Sequence, residues 1–409
     1  MKRLSTIIIL AMSVLLANGQ AADNMKYRRS SLYQLMINHR EQKFADDIKE
    51  VFLQMPVSEH FNDHNLSVRV IDLNDKLDGA SSDKENEDVT NWLNKNLVAS
   101  RLVAKWFDRD KYTGKCDMDL VKSRGLYNAS AFDKVLASRS VRGLAILEDA
   151  GEDLIGNTFV IVNDIRYIDK EKTGKGIGTS LRIAGSFLSA FSGASGGSNV
   201  GDALNSFADM SETLKGFKVK INTYLYRLDW NDDVAGLFYS TQYGTTDNGK
   251  EKEAFDKARG SYKLTYVGKQ ESSGSTTSFM GVKLDTPTAM VRKACQRAVD
   301  ENVANLQHNY EEFRTKAPLL GIDPIRVAIG LKEGMTENST FEVLEAVEKE
   351  DGTVKYRKVG VIKPVKSLIW DNRYMAEEEG APNANLGFTT FKKVSGDDFY
   401  PGMLVRETN

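Results

Sequence analysis

Residues 158–165, Thr-Phe-Val-Ile-Val-Asn-Asp-Ile, decide the fold that the sequence predicts. Their apolar side chains form one continuous β-branched run, which is typical of a strand covered on both faces. Gly156 and Asn157 precede the run and supply a left-handed end for a helix predicted over 142–155. We therefore expect 158–165 to be the central strand of a sheet that helices cover.

Upstream of this strand, the pattern predicts alternating helices and strands. Residues 30–55 carry apolar residues at helical spacing up to Pro56, which predicts one amphipathic helix or two short ones. Residues 66–73 alternate and predict a strand, and 89–107 predict a helix whose apolar side packs on the sheet. Two further predicted elements are a polar strand at 115–122 and a short helix at 129–136.

Downstream, residues 216–230 predict a long strand. The turn Asn231-Asp232-Asp233 is expected to lead into an antiparallel partner at 236–243. The remaining elements predicted here are a strand at 262–267, a polar loop at 269–276, and a helix that Pro287 opens at its first position and that extends to Phe313.

From Ile322 onward, the sequence predicts a second, all-β domain. Short apolar runs recur at close spacing between turn residues, which indicates a small barrel or sandwich. The predicted strands are 325–329, 341–347, 358–362, 367–370, 388–391 and 403–406. The predicted fold class is therefore α+β: an α/β domain with a mixed sheet at 22–318, followed by a small all-β domain at 319–409.

The first 21 residues predict export. Lys2 and Arg3 precede an apolar core at 7–16, and small residues at 19–21 fit a cleavage site. No cysteine stands at that site for a lipid anchor, and the apolar core is too short to span a bilayer. We expect the cleaved protein in the periplasm or on the outer cell surface, where nucleotide-dependent enzymes are rare.

Residues 174–214 form a glycine-rich, apolar insertion. Their spacing predicts a helical hairpin, which either packs on the domain or touches a membrane or a partner peripherally. The residues predicted for such contacts are Leu181, Phe187, Leu188, Phe191, Leu204 and Phe207.

The distribution of charge limits the class of partner, and the number of cysteines limits the disulfide bonds that can form. The chain has 55 Lys and Arg against 57 Asp and Glu, spread along its length, which predicts no nucleic-acid partner. Cys116 and Cys295 permit one disulfide in an oxidising compartment, and two buried free thiols are the alternative.

The sequence predicts no cofactor, metal or catalytic residue. His60 and His64 are four residues apart, as helical metal ligands are, but the base of a zinc protease is missing, so an exposed polar loop is expected. His39 and His308 are expected to be structural. The glycines of 173–180 fit neither a P-loop nor a dinucleotide motif, so no nucleotide is expected. Gly193-Ala-Ser-Gly-Gly197 comes nearest to a Gly-x-Ser-x-Gly nucleophile elbow, but no apolar strand runs into it, so no catalytic serine is expected.

The order of elements between residues 66 and 243 resembles curli-secretion (CsgG-like) and TolB N-terminal-like envelope proteins. The resemblance rests on the strand at 66–73, the helix at 89–107, the segment Ser123-Arg-Gly-Leu-Tyr127 and the apolar central strand at 158–165. It also rests on the antiparallel pair predicted at 216–230 and 236–243, which closes the sheet. It implies a role in envelope assembly without catalysis.

Three hypotheses follow. The first is an exported, non-enzymatic scaffold or assembly protein that binds an envelope protein or a second copy of itself. The second is a subunit of an outer-membrane secretion channel, in which 176–212 form membrane strands. The third is a cell-envelope hydrolase that uses the loop 372–385 or His60 and His64.

Overall fold

The computed structural model describes residues 30–73, 82–121, 154–168, 218–242, 250–275, 287–348 and 354–408. It consists of a mixed sheet covered by helices and a separate closed antiparallel barrel, so the predicted α+β fold class is confirmed.

The sheet has six strands: β1 (Ser30–Ile37), β2 (Phe61–Asp63), β3 (Val70–Ile71), β4 (Thr158–Tyr167), β5 (Lys218–Leu228) and β6 (Leu264–Ser275). Their order is β2-β1-β4-β5-β6, and β3 also pairs with β1. β1 runs parallel to β2, β3 and β4, whereas β5 is antiparallel to both of its neighbours. The parallel strands therefore end at the same edge of the sheet.

Helices cover both faces of the sheet: α1 (Ala45–Gln54), α2 (Ser82–Lys95), α3 (Val98–Trp106), α4 (Asp232–Gln242), α5 (Lys250–Ala258) and α6 (Pro287–Asn309). α2 to α5 enclose one apolar core, in which Trp106 and Phe238 lie against the sheet. α1 and α6 enclose the other, around Phe52, Phe159 and Val299. The prediction for 158–165 is confirmed, since β4 lies between β1 and β5 and all eight of these residues are buried.

Three predictions upstream of β4 were wrong at least in part. Within the helical stretch predicted at 30–55, residues 45–54 do form α1, but 30–37 form β1, and all eight of these are buried because the strand has a core on each side. The strand predicted at 66–73 is reduced to the two residues of β3. The helix predicted at 89–107 is two helices, which separate at Leu97 in a left-handed conformation (φ 52°).

Further differences lie around the second half of the sheet. Residues 236–243 were predicted as a strand, but 232–242 form α4, which Asn231 caps by accepting the Val234 N–H (3.0 Å). The predicted loop 269–276 is largely the end of β6, which pairs with β5 up to Ser275. The described part of the predicted strand 115–122 contains no strand.

The barrel consists of β7 (Ala317–Ile322), β8 (Ile325–Val327), β9 (Thr340–Glu348), β10 (Val354–Pro364), β11 (Thr389–Gly396) and β12 (Leu404–Thr408). It closes in the order β10-β11-β8-β7-β12-β9 around Val327, Val343 and Ile362. The pattern did not predict β7, and the strand predicted at 367–370 is a short 3-10 turn, Lys366–Leu368. The loop 372–385 leaves the barrel between β10 and β11.

Several predictions lie outside the described residues. They are the export signal at 1–21, the short helix at 129–136, most of the helix at 142–155, and the insertion at 174–214 with all six of its predicted contact residues. Among the helices that the structure does describe, none combines the length and apolarity needed to cross a bilayer.

Candidate functional site

A cleft of about 420 Å³ opens where the barrel meets the helix-covered sheet. Both units supply walls: Glu59 and His60 precede β2, whereas Lys332, Glu333 and the segment 370–378 belong to the barrel. The other lining residues are Ala317, Pro318, Leu320, Ala328, Ala384 and Gly387. Both polar and apolar side chains therefore line the cleft, as in many binding sites.

The His60–Glu333 pair links the two walls. His60 Nε2 lies 3.2 Å from Glu333 Oε1, and the second carboxylate oxygen accepts the Gly330 N–H and the Asn372 amide, each at 2.7 Å. Burial opposes the charge of Glu333, but these bonds outweigh it and hold the pKa of that carboxyl below its usual range. Glu333 therefore stays ionised at the base of the cleft.

The barrel wall is fixed by its own ion pairs. Arg373 binds Asp371 with two nitrogens, Nε at 2.9 Å and Nη2 at 2.7 Å, and this contact lowers the pKa of Asp371. The Trp370 indole N–H donates to the Ala384 carbonyl at 2.8 Å, which ties the two ends of the loop 372–385 together.

The α6 helix holds the same loop from the other side. Arg297 Nη2 donates to Glu379 Oε2 at 2.7 Å and to the Tyr374 carbonyl at 3.0 Å, and Lys293 also contacts Glu379. The loop is thus a preformed wall. Three exposed carboxylates line the cleft: Glu377 and Glu378 belong to this loop, and Glu59 belongs to the opposite wall.

A second hollow of about 370 Å³ adjoins the cleft, and the two share Lys332 and Arg373. Asp300 of α6 lines it, accepts the Gln296 amide at 3.0 Å and lies 4.0 Å from Lys332 Nζ. Burial raises the pKa of Asp300 to about 6. The interface between α6 and the barrel, called the seam below, therefore contains charged side chains from both units that partly neutralise one another.

The side chains that line the cleft are mainly charged or apolar. None of its described lining residues carries a hydroxyl or thiol nucleophile. Within the described ranges, no three His, Cys, Asp or Glu side chains converge as metal ligands. Glu333 and Asp371 are paired with His60 and Arg373, whereas Glu377 and Glu378 are exposed at the rim.

The structure separates the two histidines that the sequence analysis paired. His60 lies in the cleft, whereas His64 is 3% exposed, stacks on Trp106 at 4.9 Å between centroids, and has Nε2 3.1 Å from the Leu102 carbonyl. The expected exposed loop was therefore wrong at both positions. His60 and the loop 372–385, which were named separately, line the same cleft.

The other singled-out histidines and the cysteines lie outside the cleft. His39 contacts the buried Asp164, and His308 is half exposed, 4.0 Å from Glu407. Cys116 and Cys295 are free thiols that pack on opposite faces of the sheet, so the disulfide alternative is not formed. Burial raises the pKa of the Cys295 thiol to about 12, which makes it unreactive.

Sequence reasoning missed Glu333 and Asp300. Glu333 is 273 positions from His60, and no local motif marks either residue. Comparisons with protein-family models and with curated proteins found no match for this chain. The resemblance to curli-secretion proteins therefore stays a prediction.

Proposed function

We propose that this protein is an exported, non-enzymatic scaffold or assembly protein of the cell envelope, and that it holds a protein partner in the cleft. The observation that carries this proposal is a preformed cavity of about 420 Å³ to which both structural units contribute. Its walls are held by the His60–Glu333 and Asp371–Arg373 pairs before any partner arrives, and preorganisation of this kind favours affinity.

Two features of the sequence support a role in the cell envelope. Residues 1–21 have the charged start, apolar core and small-residue end of an export signal. The order of elements resembles CsgG-like proteins at the apolar strand β4 and the long strand β5. The closing antiparallel pair differs, because α4 follows β5 where that family has a strand.

The rim indicates the chemistry of the partner. Glu59, Glu377 and Glu378 are exposed around the opening, and the large side chains of Trp370 and Met375 also line the cleft. A chain segment with Lys or Arg beside an apolar residue complements such a surface. We therefore expect a basic, partly apolar segment of an envelope protein, or of a second copy, in the cleft.

Site-specific photocrosslinking tests this function in intact cells. A photoreactive amino acid at Glu378 should produce a discrete crosslinked species in the envelope fraction. The same amino acid at Tyr112, which is 72% exposed on another part of the surface, is the control and should not. Adding Glu377→Lys to the Glu378 variant should reduce the crosslink severalfold. Equal crosslinking from both positions, or none from Glu378, would reject the cleft as the binding site.

A separate experiment tests whether the protein is exported. If the signal is cleaved, the protein recovered from the envelope fraction should lack residues 1–21 by mass spectrometry of its N-terminus. Recovery of the uncleaved chain from the cytoplasm would reject export while leaving the crosslinking result to stand independently.

The His60–Glu333 pair inside the cleft favours hydrolysis of an envelope polymer as the second candidate, because a histidine beside an ionised carboxylate can act as a general base. Incubation with cell-wall fragments decides between the two. Turnover that His60→Gln abolishes would support the hydrolase, and the absence of turnover by a protein that still crosslinks its partner would exclude it.

A further inference from the structure

A buried polar cluster attaches α2 to the sheet, away from the cleft. Glu85 of α2 is 3% exposed and Asp164 of β4 is 0% exposed. Both bind the same guanidinium: Arg166 Nε donates to Asp164 Oδ2 at 2.7 Å, and Arg166 Nη2 donates to Glu85 Oε2 at 3.5 Å. Arg166, which binds both carboxyls, is 35% exposed and therefore lies at the edge of the cluster.

The neighbouring elements add further polar and charged groups to this cluster. His39, which follows β1, contacts Asp164 Oδ1, and Tyr224 of β5 is fully buried beside Glu85. Lys269 of β6 lies 5.9 Å from the Tyr224 ring, and Asn222 pairs with Asp164 across the strands. On α2 itself, Lys84 is exposed and Asp88 is half-buried.

The two carboxyl groups need a proton between them. They are close enough to form a hydrogen bond, which two carboxylates cannot do. Glu85 Oε1 and the Tyr224 hydroxyl are buried, and neither has a well-formed hydrogen bond to a residue in the described part of the chain. Burial and the charge of Asp164 raise the pKa of Glu85 to about 7. Burial opposes the ionisation of Asp164, but His39 and Arg166 hold its pKa low.

We propose that the Glu85–Asp164 pair makes the attachment of α2 to the sheet depend on pH. With the proton present, a buried hydrogen bond between Glu85 and Asp164 joins helix and strand. Without it, two adjacent buried carboxylates repel each other and α2 opens more often. This inference is independent of the proposed function.

The direction of the pH effect follows because protonation of Glu85 is linked to the packing of α2 on the sheet. The pKa of Glu85 is higher when α2 is packed than when α2 is open and the group is solvated, so packing is most favourable at low pH. That advantage is lost as the pH rises from about 4.5, the ordinary value, to about 7. We expect local opening of α2 to increase about 10- to 100-fold between pH 5 and pH 8.

Amide hydrogen exchange of the full chain, read by mass spectrometry and corrected for intrinsic rates, tests this. Peptides from α2 should lose about 10- to 100-fold of their protection between pH 5 and pH 8. Peptides from α3, which packs on the same face without such a cluster, should change little. Glu85→Gln should remove the pH dependence of α2, whereas Glu87→Gln, at an exposed position of the same helix, should keep it.

Two results would overturn the proposal. One is a change in α2 no larger than that in α3 of the wild-type chain, a comparison that needs no variant to fold. The other is a pH dependence in Glu85→Gln equal to that of the wild type.

Discussion

Gly274 of β6 shows how one residue sets the distance between a helix and the sheet. A Cβ built on Gly274 would lie 2.0 Å from the Ala294 carbonyl oxygen of α6, and neighbouring Ser272 donates to the Ala298 carbonyl at 2.8 Å. Backbone therefore packs on backbone at this point, which only glycine allows.

Gly274→Ala should consequently destabilise the protein by about 1–3 kcal/mol, because the clash is with main chain and α6 must shift. Gly236→Ala is the matched control: Gly236 is in α4 with nothing within 4 Å of the added methyl, so the change should stabilise by about 0.5–1 kcal/mol. Urea unfolding of both variants measures the difference. A Gly274 variant as stable as the wild type would refute the close contact.

At single positions, the sequence predicted burial better than it predicted partners. The apolar residues of 158–165 are buried as expected. Glu333, by contrast, is recognisable only once folding brings His60, Gly330 and Asn372 to it. A carboxylate stabilised by contacts this distant in sequence leaves no local pattern, and this is why the cleft could not be assembled from the sequence alone.

The misassigned elements share a physical cause. β1 has apolar residues on both faces, so Leu32, Leu35 and Met36 mimic helical spacing although both faces are buried. α4 contains Leu237, Phe238 and Tyr239 in succession, which imitates a buried strand. In both cases periodicity fails because it reports which faces are apolar, and tertiary packing decides the backbone conformation.

The loop 372–385 is the element that α6 holds against the barrel. Arg297→Ala removes the bonds to the Tyr374 carbonyl and to Glu379, so the loop should open more often. We expect a glutamate-specific protease to cut at Glu377 or Glu378 about tenfold faster in this variant, since a local loss of about 1–2 kcal/mol corresponds to such a factor.

Arg357→Ala is the control for this prediction, because Arg357 makes an exposed ion pair with Glu345 at 2.6 Å elsewhere on the barrel. Its cleavage rate should match that of the wild type, as exposed pairs contribute little. If the two variants were cut at the same rate, α6 would not be what holds the loop.

At the scale of the whole molecule, the barrel and the sheet unit meet through a polar seam. His60, Lys293 and Arg297 on the sheet unit face Glu333 and Glu379 on the barrel, and each unit has its own apolar core. Because most of the described cross-seam bonds are directional and charged, their removal should uncouple the units while both cores stay intact.

The double variant His60→Ala/Arg297→Ala removes two seam residues from the sheet unit only. The chain has four tryptophans, and Trp370 is the one in the barrel, so ¹⁹F spectra of fluorotryptophan-labelled protein report on both units separately. In the wild type, all four signals should change over one urea range. In the double variant, the Trp370 signal should change at lower urea, because the barrel loses about 2–4 kcal/mol of docking free energy. Arg357→Ala/Glu345→Ala, which removes the exposed barrel pair, should keep one range. Coincident signals in the seam variant would show that His60 and Arg297 are not what couples the two units, so the contacts that fix the walls of the cleft relative to each other would lie elsewhere.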